Sequence, residues 1–258
     1  MEIDFWKIFI YDQNAPLIFT RFFFWAFFAV VLLGYTFLAN KRLSRSLYLL
    51  VFSLFFYYKS SGFFFFLLIF STFCDYYIGK WIYNSQNEKK RKWLVALSVF
   101  INLGVLAYFK YSYFIVDAAN QMFGTSFVTR NYLAEFSNLL TGSSFDTSKI
   151  FLPVGISFYT FQTISYIVDV YRKQLKAVDS IIDFGFYVSF FPQLVAGPIV
   201  RAADFIPQIY QKYKLSRYEF GMAIFFVLRG LIKKIMIGDY IAVNFVDRIF
   251  ANPDMYTG

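Results

Sequence analysis

Long runs of apolar and aromatic residues, separated by short polar or basic stretches, make up most of the 258-residue chain. The hydrocarbon core of a bilayer is about 30 Å thick, and a helix needs roughly 20 mostly apolar residues to cross it. Seven runs approach this pattern, at about 17–39, 47–58, 62–83, 93–109, 154–171, 181–200 and 220–246. The pattern predicts an all-α fold, a polytopic transmembrane helical bundle of about six or seven membrane segments. We expect one membrane domain over residues 1–258.

The sixth run, 181–200, contains the helix breakers Pro192, Gly197 and Pro198. Broken helices occur at membrane depth only where they are buried in protein or line a water-filled cavity. One interpretation is a re-entrant segment that returns to the side from which it came. It would place residues 201–219 along the cytoplasmic surface, with their aromatic side chains in the interface. The alternative is a kinked segment that crosses the membrane completely.

Lysine and arginine cluster after alternate runs. The clusters are Lys41, Arg42 and Arg45; Lys89, Lys90, Arg91 and Lys92; and Arg172, Lys173 and Lys176. Because basic loops stay in the cytoplasm, this asymmetry predicts that the N-terminus lies outside. The polar stretch at about 117–149 is then an external loop. The N-terminal residues lack a cleavage signal, so we expect the first run to remain as an anchor.

Composition narrows the class of protein. Hydrophobic residues make up 59% of the chain and charged residues 16%, against roughly 25% charged in ordinary soluble domains. The net charge of +9 comes from bases between apolar runs, which favours lipid headgroups over nucleic acid as the partner. The chain has one cysteine, Cys74, and no histidine. We therefore expect no disulfide and no metal site, and we assign no catalytic residue.

The fifth run carries polar side chains at helical spacing. They are Tyr159, Gln162, Tyr166, Asp169 and Lys173. A carboxylate inside a span costs about 2.5–3.5 kcal/mol, so this stripe is expected to face the bundle interior. It would either connect helices through hydrogen bonds, with Asp169 paired to Arg172 or Lys173, or line a substrate site. Asp75 with Lys80, and Asn102, raise the same alternative, with packing the commoner role for such residues.

Three stretches resemble the membrane-bound O-acyltransferases, in the branch of the alginate O-acetyltransferase and the D-alanine exporter. They are "PVGISFYTFQ" to "DVYR" (153–172), "FFPQLVAGPIVR" (190–201) and "GLIKKIMIGDYIA" (230–242). The resemblance implies acyl transfer, often of acetyl, to a hydroxyl of an exported polysaccharide or cell-envelope glycan. It implies acetyl-CoA or an acyl-carrier thioester as donor and an acyl-donor protein on the cytoplasmic side. Periplasmic or extracellular transferase partners and an inner-membrane location are also implied.

The family's catalytic histidine lies in a later helix, and this chain contains none. The resemblance therefore implies the N-terminal part of an acyltransferase, inactive alone. Gln162 and Tyr166 would line or brace the central funnel, with Tyr159 and Asp169 on the same stripe. Arg201 is the best candidate in this chain to bind an anionic acyl donor or a lipid headgroup, since guanidinium binds phosphate in a bidentate manner. Its alternative role is an ordinary interface anchor.

Two other functions remain open from the sequence. Buried Asp75 and Asp169, together with a broken helix, would suit a transporter or channel subunit, although no inverted repeat is visible. The third hypothesis is a non-enzymatic scaffold that recruits transferases.

Overall fold

The computed structural model describes residues 11, 17, 19, 21–141, 146–194, 197–211 and 215–256. All regular elements among these residues are helical, which confirms the predicted all-α class for the described part of the chain. The chain divides into two compact units. Unit 1 comprises Met1–Ile18 and Phe23–Gln211, and unit 2 comprises Phe19–Phe22 and Lys212–Gly258.

Nine α-helices lead through the described residues as far as Tyr210. They are α1 Phe22–Leu38, α2 Arg42–Ser61, α3 Phe65–Asn84, α4 Glu88–Phe123, α5 Tyr132–Thr141, α6 Ile156–Tyr171, α7 Ile181–Ser189, α8 Phe191–Leu194 and α9 Ala202–Tyr210. Helix α6 packs against α3, α4, α7 and α9, so the helix with the polar stripe is central. The core around it includes Leu68, Ile82, Ile167 and Phe184, all fully buried.

Two described helical stretches are long and apolar enough to cross a membrane. One is Arg42–Asn84, in which the 3₁₀ turn Gly62–Phe64 joins α2 to α3, and the other is α4. Helix α1 is also apolar but has only 17 residues. The structure thus supports a helical membrane protein, whereas the number of six or seven segments stays a prediction.

Helix α4 is longer than the predicted fourth segment at both ends. Its 36 residues extend about 54 Å at 1.5 Å per residue. Asn87 caps its start by accepting hydrogen bonds from the N–H groups of Lys89 (3.0 Å) and Lys90 (3.2 Å). The basic cluster 89–92 is therefore the first turn of a helix. The predicted polar loop is also helical in part, because it contains the end of α4 and the whole of α5; residues 142–145 lie outside the described residues.

The sixth run is broken as its prolines and glycine predict. Helix α7 has nine residues and extends about 13 Å, too short to cross a bilayer. The four-residue α8 follows, residues 195–196 lie outside the description, and α9 begins after Arg201. Phe191 of α8 packs between α1 and α2, with ring centroids 5.4 Å from both Phe27 and Phe56.

Both ends of this broken segment contact helix ends that carry basic residues. Before α7, the backbone oxygen of Asp179 accepts a hydrogen bond from Lys80 near the end of α3. After the break, the oxygen of Ile209 accepts one from Arg45 at the start of α2. The Arg42 guanidinium also lies 4.8 Å from the ring centroid of Tyr210. The chain therefore enters and leaves this segment at the same end of unit 1.

Unit 2 contains α10 Arg217–Ile232 and a continuation with π-helical turns over Lys233–Asp239 and Ala242–Val246, followed by α11 Asp247–Ala251. A capping box begins α10, because Ser216 and Glu219 exchange side-chain hydrogen bonds with each other's backbone N–H. The stretch predicted to lie on the surface, 201–219, thus divides into α9 and the capped start of α10, and residues 212–214 lie outside the described residues.

Candidate functional site

A hydrogen-bonded polar network joins α3, α4 and α6 inside unit 1. The Asp75 carboxylate, which is fully buried, accepts hydrogen bonds from Ser98 Oγ (2.5 Å) and Asn102 Nδ2 (2.7 Å). The Asn102 side-chain oxygen lies within hydrogen-bonding distance of Ser71 Oγ (2.9 Å) and Thr163 Oγ1 (3.2 Å). Buried polar groups of this kind are stabilising only when each finds a partner. Asp75 and Asn102 therefore connect helices, the commoner of the two roles considered for them.

A second network surrounds the end of α7. A helix leaves its last four carbonyl groups without intrahelical partners, and that of Tyr187 is in this position because α7 ends at Ser189. Two buried amides satisfy it, with Gln162 Nε2 at 2.9 Å and Gln193 Nε2 at 2.8 Å. The Tyr187 hydroxyl donates to the oxygen of Val200 (3.0 Å). The buried amide of the stripe thus caps the helix that the sixth run breaks.

Two tyrosines of the stripe are fully buried on α6. The Tyr166 ring packs 4.5 Å from that of Phe184, and its hydroxyl accepts a hydrogen bond from the Val178 N–H (3.2 Å). Tyr159 packs edge-on against Tyr57 of α2, with centroids 6.5 Å apart. The hydroxyls of Tyr57 and Tyr159 are both buried, and neither meets hydrogen-bond geometry. The two hydroxyls lie close to each other in the interior near the start of α6.

Asp169 lies near the end of α6 and is mostly buried, with its Oδ2 atom lacking a hydrogen-bond partner. The positive charges of Arg201 and Arg172 act on this carboxylate, and the negative charge of Asp204 opposes them. Arg201 is exposed and precedes α9, where its backbone oxygen accepts from the N–H groups of Asp204 and Phe205. The arrangement brings the predicted Asp169 and Arg201 into one electrostatic cluster. Lys173 lies outside the helix, with a φ of 60°.

Two glycines allow close backbone contacts around α8. Gly155 has a φ of +75°, and a Cβ there would lie 2.4 Å from the backbone oxygen of Leu194. A Cβ on Gly197 would lie 2.5 Å from Gln193 Cα. Both glycines fall in the motifs of 153–172 and 190–201. Gly155 therefore lets α8 lie against the start of α6, while Gly197 lets the chain turn closely around the end of α8.

The structure groups the predicted residues in two places. Gln162 joins the Tyr187 network, and Asp169 joins Arg201 at one end of α6, while Tyr159 lies ten residues earlier on the helix. Amide donors around a broken helix and an exposed guanidinium beside a carboxylate suit polar-group orientation and anion binding. The roles of Tyr159, Gln162, Tyr166, Asp169 and Arg201 in a reaction stay predictions.

Four further residues of these contacts were not expected from the sequence. Tyr187 and Gln193 lie in an aromatic run, and the neighbouring Pro192 was the only sequence feature there that indicated a helix end with free carbonyl groups. Arg91 donates to the oxygen of Tyr171 and pairs with Glu88, and Arg45 donates to the oxygen of Ile209. The two arginines had been assigned to basic loops, yet both are buried. A basic residue at a helix end gives no sequence signal of whether it meets lipid or backbone.

Comparison with known proteins identifies relatives that align with most of the chain. The chain is 35% identical over 234 residues, 90% of its length, to the Probable alginate O-acetylase AlgI of Pseudomonas aeruginosa. It is 31% identical over 271 aligned residues, 93% of its length, to the Peptidoglycan O-acetyltransferase of Helicobacter pylori. These matches cover 41% and 47% of the relatives, so the chain spans less than half of their length. No family model and no solved structure matches the chain.

Proposed function

The chain belongs to the membrane-bound O-acyltransferase family, and from this premise we propose that it is the N-terminal part of a membrane O-acetyltransferase. The observation that carries the proposal is the match of 90% of the chain, at 35% identity, to a protein named as an alginate O-acetylase. The acceptor would be a hydroxyl of an exported polysaccharide or cell-envelope glycan, since the relatives are named for alginate and peptidoglycan.

In this proposal the chain supplies the wall of the central funnel. Gln162, Tyr187 and Gln193 hold the broken sixth segment beside α6, and Tyr166 supports α7 through Phe184. The polar network around Asp75 fixes α3 and α4 against α6 through Thr163. Rigid elements around a site keep reacting groups in productive geometry. These residues would therefore position the substrates without taking part in the chemistry.

The donor would approach the end of α6 that carries Asp169 and Arg201. Acetyl-CoA and the prosthetic group of an acyl carrier both contain phosphate, which guanidinium binds well. Arg201 is exposed and thus available, while the nearby Asp169 would orient it. A cytoplasmic acyl-donor protein and transferase partners on the other side of the membrane complete this proposal.

The proton of the acceptor hydroxyl would go to a group outside these 258 residues. A hydroxyl is a weak nucleophile near neutral pH and needs a positioned base, and the chain has no histidine. Asp169 lies near the end of α6, where the charges of Arg201, Arg172 and Asp204 all act on it, and we do not assign it as this base. We expect the 258 residues alone to be inactive.

The proposed placement is the inner membrane, with about six or seven segments and the N-terminus outside. The contacts at both ends of the broken segment support a re-entrant path for residues 181–200. In that orientation α9 and its neighbours Arg42 and Arg45 lie on the cytoplasmic surface, where basic residues are enriched. The lipid bilayer is then the main partner of the exposed apolar side chains.

The test starts at the gene. The DNA beyond the codon for Gly258 is read in all three forward frames, and the 258-residue chain and any longer frame are expressed in a strain that lacks polysaccharide O-acetylation. Acetyl groups on the exported glycan are measured by NMR. We expect acetylation from the longer protein only. In that protein Arg201→Ala should abolish acetylation, and Arg201→Lys should lower it less.

Two results would reject the proposal. If neither the 258-residue chain nor the longer protein restores acetylation, and solute uptake depends on the chain, the transporter hypothesis is favoured. If acetylation never depends on the chain but transferases co-purify with it, the scaffold hypothesis gains. Alanine at Lys149, an exposed residue outside α6 and α9, is the matched control for Arg201.

A further inference from the structure

An open apolar cleft of about 190 Å³ lies between α2, α3 and α7 in unit 1. Its walls include Leu50 and Leu54 of α2, Ile69 and Phe73 of α3, and Ile181 and Gly185 of α7. Phe73 is 52% exposed and Ile69 is 40% exposed, so the mouth opens on the surface of a helical stretch long enough to span a membrane. The cleft is smaller than the roughly 300–1,000 Å³ of ordinary ligand pockets. Its small volume and apolar lining suit one hydrocarbon chain.

The lining is almost entirely hydrocarbon. The Thr72 hydroxyl donates to the oxygen of Leu68 at 2.7 Å, so it is already satisfied. The remaining polar atom, Ser189 Oγ, is buried without a hydrogen-bond partner at the far end of α7. A void of this kind loses dispersion contacts unless something apolar fills it. In a bilayer the available filler is an acyl chain.

Beyond the lining residue Ile181, the chain brings a cation and an anion side by side at the rim of the cleft, although neither of them lines it. Lys80 donates to the backbone oxygen of Asp179 at 3.2 Å, two residues before the cleft residue Ile181. The exposed Asp179 carboxylate interacts electrostatically with the same ammonium. An ammonium has three donors, so this backbone contact leaves capacity for a ligand. The rim therefore offers one positive and one negative group.

The distance between the apolar cleft and its charged rim is close to the thickness of one membrane leaflet. Residues 69, 73, 76 and 80 share one face of α3, because they are three or four positions apart. Ile69 and Lys80 are separated by about 16 Å along the helix, close to half of the roughly 30 Å hydrocarbon core. A lipid whose headgroup is at Lys80 would thus lay its chain along Phe73 and Ile69.

We propose that this cleft binds one acyl chain of phosphatidylethanolamine, with the lipid phosphate at Lys80 and the lipid ammonium at Asp179. Charge complementarity selects this occupant, because a headgroup with both charges matches a rim with both charges. An anionic lipid such as phosphatidylglycerol would pair with Lys80 but face the Asp179 carboxylate. The site does not depend on the acyltransferase proposal; in the proposed orientation it faces the cytoplasmic leaflet.

The test offers the purified chain, in mild detergent, an equimolar mixture of phosphatidylethanolamine and phosphatidylglycerol, and counts retained lipids by native mass spectrometry. We expect preferential retention of phosphatidylethanolamine. Lys80→Glu and Asp179→Lys should each lower that retention about two- to fivefold, the change expected for one exposed ion pair. The double charge swap should restore it, because each headgroup charge again meets its opposite.

Matched variants separate the rim from general effects. Lys90→Ala removes an exposed cation of α4, away from the rim, and should not alter lipid preference. A Cβ on Gly185 would lie 3.4 Å from Leu50 Cδ1, so Gly185→Ala should keep the lipid while Gly185→Leu fills the cleft and expels it.

Several outcomes would overturn the proposal. Equal or tighter retention of phosphatidylglycerol would show that the rim does not select a headgroup with one positive and one negative charge. Lipid bound to a folded Gly185→Leu variant would place it elsewhere, and weaker retention by Ser189→Ala would indicate a polar occupant. Should Gly185→Leu not fold, the charge-swap series decides by itself, since its residues lie at the exposed rim.

Discussion

At the scale of single residues, Gly79 and Gly104 lie inside neighbouring helices but have different surroundings. A Cβ on Gly79 would lie 2.7 Å from Tyr166 Cε1, whereas nothing lies within 4 Å of a Cβ on Gly104. Because Tyr166 is fully buried, we expect Gly79→Ala to destabilise the chain by about 1–3 kcal/mol. Gly104→Ala should stabilise it by up to about 1 kcal/mol through helix propensity. Thermal unfolding in detergent measures both, and equal shifts would contradict the packing argument.

The Asp75 network gives a second prediction at this scale. Asn102→Leu leaves one oxygen of a buried carboxylate without its donor. Asp75→Leu leaves the Ser98 hydroxyl without its acceptor, while the Asn102 side-chain amide keeps its hydrogen bond to the Ser98 backbone oxygen. Each single variant should lose about 1–3 kcal/mol of unfolding free energy. The double variant should lose less than the sum, with a coupling of about 0.5–3 kcal/mol.

The control for this cycle is Asn120, which binds the backbone of Phe127 near the exposed end of α4. Asn120→Leu should have a smaller effect and be additive with Asp75→Leu. Additivity of the Asp75 and Asn102 losses would instead mean that the two side chains do not act as one network.

Residue identity showed which side chains face inward but not what they bind. The spacing of Gln162, Tyr166 and Asp169 predicted a buried stripe, and all three are buried. Their partners came from elsewhere in the chain. Gln162 binds the Tyr187 carbonyl, which is free only because α7 ends two residues later. A helix end of this kind depends on tertiary packing, so spacing within α6 contains no information about it.

At the scale of elements, the junction of α6 with α8 depends on Gly155. We expect Gly155→Ala to be more damaging than Gly124→Ala, although both residues have positive φ. Alanine at Gly124 meets no atom within 4 Å and should cost about 1–2 kcal/mol for the left-handed backbone alone. Alanine at Gly155 also meets the Leu194 oxygen, which adds about 1–3 kcal/mol.

Thermal unfolding compares these two glycine variants, and proteolysis within 190–200 reports whether α8 has separated from α6. A similar loss of stability for both variants, with no new cleavage, would mean that the close approach of Leu194 is not needed.

Arg91 fixes the start of α4 to the end of α6. Its guanidinium donates to the oxygen of Tyr171 and lies 5.0 Å from the centroid of that ring, while Glu88 pairs with it. We expect Arg91→Ala to lose about 1.5–3 kcal/mol, the value of a hydrogen bond to a charged group. The exposed neighbour Lys92 is the control, and its alanine variant should differ little from the parent in unfolding free energy. If Arg91→Ala and Lys92→Ala change the unfolding free energy equally, Arg91 would instead interact with lipid headgroups.

Hydrophobic pattern located the elements better than it located their ends. The runs at 47–58 and 62–83 correspond to α2 and α3, and the breakers in 181–200 do end α7. The ends of α4 were missed at both sides because its first turn is basic and its last two turns are polar. The polarity of the side chains at these two ends depends on what surrounds the helix. Its length is set by the Asn87 cap at one end and by Gly124 at the other.

At the scale of the whole molecule, the basic clusters serve two purposes that sequence cannot separate. Arg45 and Arg91 are buried and bind backbone oxygens, while Lys89, Lys90 and Lys92 are exposed. Only the exposed residues are free to interact with headgroups, yet all of them count in a charge-based topology. Each cluster keeps at least one exposed base, namely Lys41, Lys92 and Arg172, and the orientation stays a prediction.

The re-entrant path predicts that the residues before and after 181–200 lie on the same side of the membrane. Single cysteines are placed at the exposed residues Lys176, before α7, and Gln208, in α9, after Cys74 has been replaced by alanine. Since Asp179 contacts Lys80 and Ile209 contacts Arg45, both positions should react with an impermeant maleimide from the cytoplasmic side. Lys149→Cys, in the predicted external stretch, should react from the opposite side and serves as the control. If position 208 instead reacts together with position 149, residues 181–200 cross the membrane completely, and the Arg201 site would face away from a cytoplasmic acyl donor.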